Sequence, residues 1–223
     1  MLLWPAACLL CGRTGGRIDL CSRCIADLPR NEPACTVCAE PLLATGVCGE
    51  CLRDPPPFLG SVVPYRYAYP LDHLVRSLKF RNDLACGRVL GELFSRSLLA
   101  RGQLLPEAIV PVPLAPQRYR QRGYNQAAEL ALAVRRVTGV AMQTDVVIRA
   151  RETAEQAGLD RQARRKNVRG AFAAVAPLRA RSVAILDDVV TTGSTVRELA
   201  SVLRQAGAEH VAVWAIARTE PAT

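Results

Sequence analysis

Two adjacent carboxylates, Asp187 and Asp188, end the apolar run Val183-Ala184-Ile185-Leu186, and Val189-Val190-Thr191-Thr192-Gly193-Ser194-Thr195 follows them. Acids repel phosphate, so their natural partners are neutral hydroxyls such as those of a ribose, from which a carboxylate accepts hydrogen bonds. The hydroxyl-rich run suits the opposite task. Gly193 permits a tight turn, and the amides and hydroxyls of Thr191, Thr192, Ser194 and Thr195 can surround a phosphate at the positive end of a helix opening there. A diol clamp beside a phosphate cradle makes a sugar-phosphate site. An ordinary strand, turn and helix capped by Ser194 would account for the small residues, but not for two carboxylates at the mouth of an apolar strand.

The cysteines carry a second chemistry. Eight of the nine form four Cys-x-x-Cys pairs, Cys8/Cys11, Cys21/Cys24, Cys35/Cys38 and Cys48/Cys51, and the last four repeat the first four at an interval of 27 residues. Each pair sets two thiolates on a knuckle, and two knuckles close a tetrahedral zinc site. So small a segment has too little apolar material to fold alone, and metal supplies the folding energy. Disulfides suit an exported chain, and no export signal is seen; a redox Cys-x-x-Cys occurs once beside a βαβ unit, not four times in register. Two structural zinc ions are expected, each closed by four cysteines in sequence rather than cross-braced. Cys86 reads as a small buried hydrophobe.

Basic side chains gather in two further stretches. Arg118, Arg120 and Arg122, with Asn125 and Gln126, follow a predicted strand over 107–112 and form a loop whose forked donors suit pyrophosphate. Residues 149–170 are long and polar, with Gln156, Arg164 and Asn167 among many cations, as in a lid that orders on an anion. The formal net charge is +9; two zinc ions on eight thiolates would lower it to +5, still favouring anionic partners. No apolar run approaches the roughly 20 residues of a membrane span, and a cytoplasmic location is expected.

The elements that must position these groups are read from periodicity. A zinc module over 1–56 ends at Asp54-Pro55-Pro56-Pro57, a stiff linker. Residues 57–105 are expected to form a lead-in hairpin and helices, with a strand over 61–69 placing Tyr65, Tyr67 and Tyr69 on one face and a helix over 71–80. The core, 106–218, is expected to carry strands over 107–112, 140–148, 171–175, 183–186 and 211–216, with helices over 127–138 and 195–205. Leu130, Val134 and Val137 line one side of the first of these helices. Strands alternating with helices describe an open, mostly parallel α/β sheet with a small zinc-ribbon module, and 57–223 as one domain.

Leu186 to Thr195 resembles the binding motif for phosphoribosyl pyrophosphate (PRPP) in type I phosphoribosyltransferases. Pro111-Val112-Pro113, Arg122-Gly123-Tyr124-Asn125-Gln126, Gln156-Ala157-Gly158-Leu159, Arg164-Arg165-Lys166-Asn167-Val168-Arg169-Gly170-Ala171-Phe172, Leu78-Lys79-Phe80 and the double ribbon resemble the ComF family, in order and over essentially the whole chain. The resemblance implies a phosphoribosyltransferase-type sheet, PRPP as ligand with magnesium, and a role in competence and the uptake or use of external DNA. Asp187 and Asp188 would hold ribose, Thr191 to Thr195 the 5′-phosphate, and Arg118 to Gln126 with a hood over 153–167 the pyrophosphate. The family is also similar to amidophosphoribosyltransferase, but Leu2 stands where its glutaminase has a cysteine nucleophile, so glutamine chemistry is not expected. Any catalysis would be pentosyl transfer from PRPP; no catalytic residue or acceptor is identified. A single-stranded-DNA accessory that senses PRPP, and a nucleobase-salvage transferase, are the alternatives, with DNA-uptake machinery a further candidate partner.

Overall fold

The computed structural model of the chain describes residues 7–14, 16, 18–151 and 167–220. Near the amino terminus two one-turn helices, α1 (Ser22–Ala26) and α2 (Gly49–Arg53), each start on a cysteine whose sulfur accepts the amide three residues later: Cys21 from Cys24 and Cys48 from Cys51. The two are equivalent points of the 27-residue repeat. Next come β1 (Gly60–Val62) and β2 (Tyr65–Arg66), then helices α3 (Leu71–Phe80) and α4 (Leu84–Ala100).

The core begins with β3 (Ala108–Pro111), followed by α5 (Pro116–Arg122), α6 (Gln126–Thr138), β4 (Ala141–Met142), β5 (Val147–Arg149) and β6 (Phe172–Ala174). It closes with β7 (Ser182–Val190), α7 (Ser194–Gln205) and β8 (His210–Arg218). The main sheet runs β1-β8-β7-β3-β4, with β2 also on β8, and every pairing is parallel. This is the open parallel α/β sheet that the alternating elements predict. In its centre, Val183 to Leu186 are at most 1 % exposed, as a strand covered on both faces requires. On one face α4 crosses α6 so closely that a side chain at Gly91 would collide with Ala133. Phe94 of α4 meets Trp214 of β8 with ring centroids 5.6 Å apart.

Several expectations need correction. The hairpin expected after residue 57 does not form, because β1 and β2 lie beside β8 and not against each other. The tyrosine row breaks with it: Tyr65 is buried, whereas Tyr69, beyond the end of β2, is 83 % exposed. The 140–148 strand is two strands, since only β4 joins the sheet and β5 pairs antiparallel with β6 in a separate ribbon. The polar triplet Gln143-Thr144-Asp145 marks the break. The stretch carrying Arg118, Arg120 and Arg122 is not all loop, for it contains α5. In α6 Leu130 and Val134 are buried, but Val137, in the last turn, is 44 % exposed.

The cysteine module is joined to the sheet and does not hang from a linker. Ile18, Leu20, Leu28 and Ala39 belong to the same apolar cluster as the sheet. The buried Asn31 amide donates to the carbonyls of Ala39 (2.9 Å) and Val63 (3.1 Å), and Ser61 Oγ donates to the Val37 carbonyl at 2.7 Å.

Candidate functional site

The chain passes from β3 out to β4 on one side and then returns to β7 on the other, so the strand order reverses between β3 and β7. In an open parallel sheet, strand ends part at such a point and leave a crevice outside their carboxyl ends. Here it is a cavity of about 360 Å³, lined by Val112 and Pro113 after β3 and by Asp187 to Thr191 of β7 and beyond. Pro113 has no amide to continue the ladder, and the last bond between the two strands runs from the Val112 amide to the Leu186 carbonyl at 2.9 Å.

Asp187 and Asp188 lie inside β7, which is longer than the four-residue core predicts, and both reach the cavity. Each uses one carboxylate oxygen on backbone: Asp187 accepts the Asp188 amide at 2.9 Å, and Asp188 the Val189 amide at 2.6 Å. The other Asp188 oxygen pairs with Lys79 Nζ of α3 at 2.9 Å. Burial works against the lysine's charge, but Asp188 and then Asp187 outweigh it and raise its pKa. Asp187 behaves differently. Burial first, and the neighbouring Asp188 carboxylate second, push its pKa from the ordinary 3.8 up to about 7. One acid of the pair is held by a cation, and the other is poised to gain or lose a proton near neutrality.

The turn after β7 is left-handed at Gly193, with φ at 79°, and this glycine caps α7. Thr191, Gly193 and Thr195 face the cavity at the helix's positive end. Thr192 and Ser194 do not: their hydroxyls bond each other at 2.9 Å behind the turn and hold its shape.

Across the cavity, Arg118 and Arg122 stand four residues apart on one face of α5 and line the wall, while Arg120 is solvent-exposed. Asn125 lines it too, but its side chain is committed to structure, capping α6 through the Ala127 amide (3.0 Å) and donating to the Val112 carbonyl (3.0 Å). Gln126 is 3 % exposed, and its Nε2 has no hydrogen-bond partner among the described residues although it lines the cavity. Asn167 lies apart from the cavity lining, its carbonyl taken by Arg151 at 2.8 Å. Gln156 and Arg164 fall outside the described residues.

Lys79 and Arg149 are the cations that sequence reasoning left off the site. Arg149, on β5, lines the cavity and sits over the Phe172 ring at 5.4 Å. Burial, then the nearby Arg118 charge, lower its pKa. Tyr67 and Thr219 complete the rim.

The eight paired cysteines form two quartets, Cys8/Cys11/Cys21/Cys24 and Cys35/Cys38/Cys48/Cys51, with the sulfurs of each within 4.8 Å of one another. The pairing is sequential. Cys11 and Cys21 sulfurs are 3.8 Å apart and those of Cys38 and Cys48 3.7 Å. Four sulfurs at about 2.3 Å from one tetrahedral zinc would sit about 3.8 Å from each other. Backbone amides point at the sulfurs, Cys48 N donating to Cys35 at 3.3 Å, as thiolates require. The donor set fits two structural zinc ions. Cys86 lies outside both quartets, buried, and burial pushes its thiol up to about 12.

Residues 1–52 match the double zinc ribbon domain family. Over 226 residues, 98 % of this chain and all of the relative, the chain is 36 % identical to the DNA utilization protein YhgH of Escherichia coli K12. It is 37 % identical over 207 residues to competence protein F of Haemophilus influenzae, covering 89 % of this chain and 90 % of that one. Competence protein ComFC of Streptococcus pneumoniae is 24 % identical over 95 % of this chain and 99 % of its own length.

Proposed function

The chain belongs to the ComF family, and from that premise we propose that the cavity between the ends of β3 and β7 binds PRPP in the service of DNA utilization. One observation carries the reading: two carboxylates on the last turns of a central strand run directly into a hydroxyl-lined, left-handed turn at a helix's positive end. Asp187 and Asp188 accept the ribose hydroxyls, and the amides of the turn hold the 5′-phosphate. Arg118, Arg122 and Arg149 face the pyrophosphate, and the spare Gln126 amide is a further donor to it.

Magnesium, if carried in with the ligand, supplies charge neutralisation between pyrophosphate and ribose. Beyond the cysteine quartets no cluster of three or more metal-ligating side chains occurs among the described residues, so the ion would be held mainly by substrate oxygens and water beside Asp187. The reaction class that suits this site is pentosyl transfer, in which an acceptor bonds the anomeric carbon as pyrophosphate leaves with the electron pair. No side chain in the cavity is assigned as a base.

A second reading, a single-stranded-DNA accessory that senses PRPP, draws on one feature. Phe80, the residue after the cavity-lining Lys79, is 68 % exposed, and the guanidinium of Arg122 lies 5.2 Å from its ring, a stacking surface suited to a base. DNA affinity that falls steeply with salt supports it.

Titration calorimetry with PRPP and magnesium tests the main reading. The wild-type protein binds, and Asp188→Asn weakens binding by about tenfold or more, the scale of a lost charged hydrogen bond. Equal affinity for the two proteins removes the clamp.

A further inference from the structure

Behind the phosphate turn lies a cation that neither the cavity nor the zinc chemistry accounts for. Arg218 ends β8 and is only 2 % exposed. Its backbone is fixed from both sides: it pairs with Val190 of β7, to which the next amide, Thr219, donates at 3.1 Å, and its carbonyl accepts the Tyr67 amide at 2.7 Å. Its guanidinium reaches two places at once. Nη2 is 3.5 Å from Glu40 in the second cysteine repeat, and Nη1 lies 3.6 Å from where a side chain at Gly193 would begin. Cys38, Glu40, Cys51, Thr192, Gly193 and Arg218 close around a crevice of about 10 Å³, too small for a ligand and therefore a contact. A second tie lies alongside, from Arg197 of α7 to the Asp54 carbonyl at 2.8 Å.

We propose that Arg218 is a positioning residue shared between the second zinc ribbon and the phosphate turn, so that zinc in that ribbon and a phosphate in the turn each strengthen the other's binding. The inference rests on the PRPP reading above. A zinc ion held by four thiolates carries a net charge of −2, and a sugar 5′-phosphate is also anionic. Buried between them, one guanidinium attracts both. Zinc frames the ribbon that carries Glu40, Glu40 holds the guanidinium against the back of the turn, and a turn already held costs less to order around a phosphate, so the coupling is positive. Loss of zinc frees Glu40 from its frame and loosens the back of the turn. The first ribbon sits differently: the crevice beside its cysteines is lined by Tyr69 and Pro70 and by no residue of the turn.

The test follows zinc transfer from the full, zinc-loaded chain to a chromogenic chelator, with and without magnesium PRPP, alongside calorimetry on the same sample. PRPP should slow release of one zinc of the two by about fivefold or more, the lower end of ordinary coupling between sites. Arg218→Met should abolish that protection, while PRPP still binds, more weakly. If Arg218→Met does not fold, Glu40→Gln severs the ribbon side alone and should reduce the protection. By reciprocity, stripping that zinc lowers PRPP affinity by the same factor. PRPP that binds by calorimetry without slowing either release overturns this inference and leaves the PRPP reading standing. No PRPP binding to the wild-type chain overturns both.

Discussion

The two cysteine repeats share a spacing and differ in what they hold on to. In the first, apolar burial does the docking: Cys8, Ile18 and Leu20 join the main core, Leu20 with no exposed surface. The equivalent of Leu20, 27 residues on, is Val47, 41 % exposed, and the second quartet forms a small cluster of its own. Beyond the buried Ala39, that ribbon docks through polar contacts on the elements flanking the turn at Gly193, Glu40 to Arg218 and Asp54 to Arg197. The position of Glu40 corresponds to Arg13 in the first repeat, an exposed residue of opposite charge. A duplicated metal module thus supplies one copy to the core and one to the site. Spacing decides the metal, and the residues between the knuckles decide the partner.

Exchanging the two equivalent charges would break this contrast most sharply. Glu40→Arg places a second cation against Arg218, whose side chain is 3 % exposed, and should destabilise the protein by roughly 3–5 kcal/mol, the cost of an uncompensated buried charge. Arg13→Glu, on an exposed site, should change stability by less than about 0.5 kcal/mol. Denaturant unfolding of both reads the difference, and equal effects would erase the distinction between the ribbons.

The next effect sharpens the picture from the site's side through pH. With its folded pKa raised to about 7 from 3.8, Asp187 binds more protons in the native than in the unfolded state between those values. Its contribution to stability therefore falls as pH rises from about 4 to about 7 and is level above. Ribose hydroxyls need the ionised acid, so PRPP affinity should climb several-fold from pH 6 to pH 8. Asp187→Asn should flatten both profiles relative to wild type; parallel profiles would dissociate Asp187 from the ligand.

The smallest effect concerns the first ribbon's ion pair to α4, between Arg88 and Asp19. The Arg88 side chain is 56 % exposed, so Arg88→Ala should cost under about 1 kcal/mol and leave PRPP affinity unchanged. A shift in PRPP affinity would show that both ribbons speak to the site.

Features written within a few residues were legible in the sequence, and features made by distant partners were not. The cysteine quartets and the Asp187-to-Thr195 run declare themselves locally. α5 was missed because Gln117-Arg118-Tyr119-Arg120-Gln121-Arg122 has no apolar stripe, yet Pro116 at its first turn and left-handed Gly123 at its end mark both boundaries. That helix also explains why Arg118 and Arg122 serve the cavity and Arg120 does not. Lys79 lies on a separate helix far back in the chain, and no local pattern announces its pairing with Asp188. Glu40 and Arg218 are still further apart, and their meeting depends on β8 lying beside β1 and β2.

That placement of β8 also orders events during synthesis. The ribbons are made first, and each can take up its metal as soon as its own four cysteines emerge. The rail on which β1 and β2 settle is the last strand translated, and it lies between those early strands and the rest of the sheet. On the ribosome, then, β1 and β2 have only β8 to pair with among the described strands and must wait until residues 210–218 clear the exit tunnel, and the contact between Glu40 and Arg218 forms only after that.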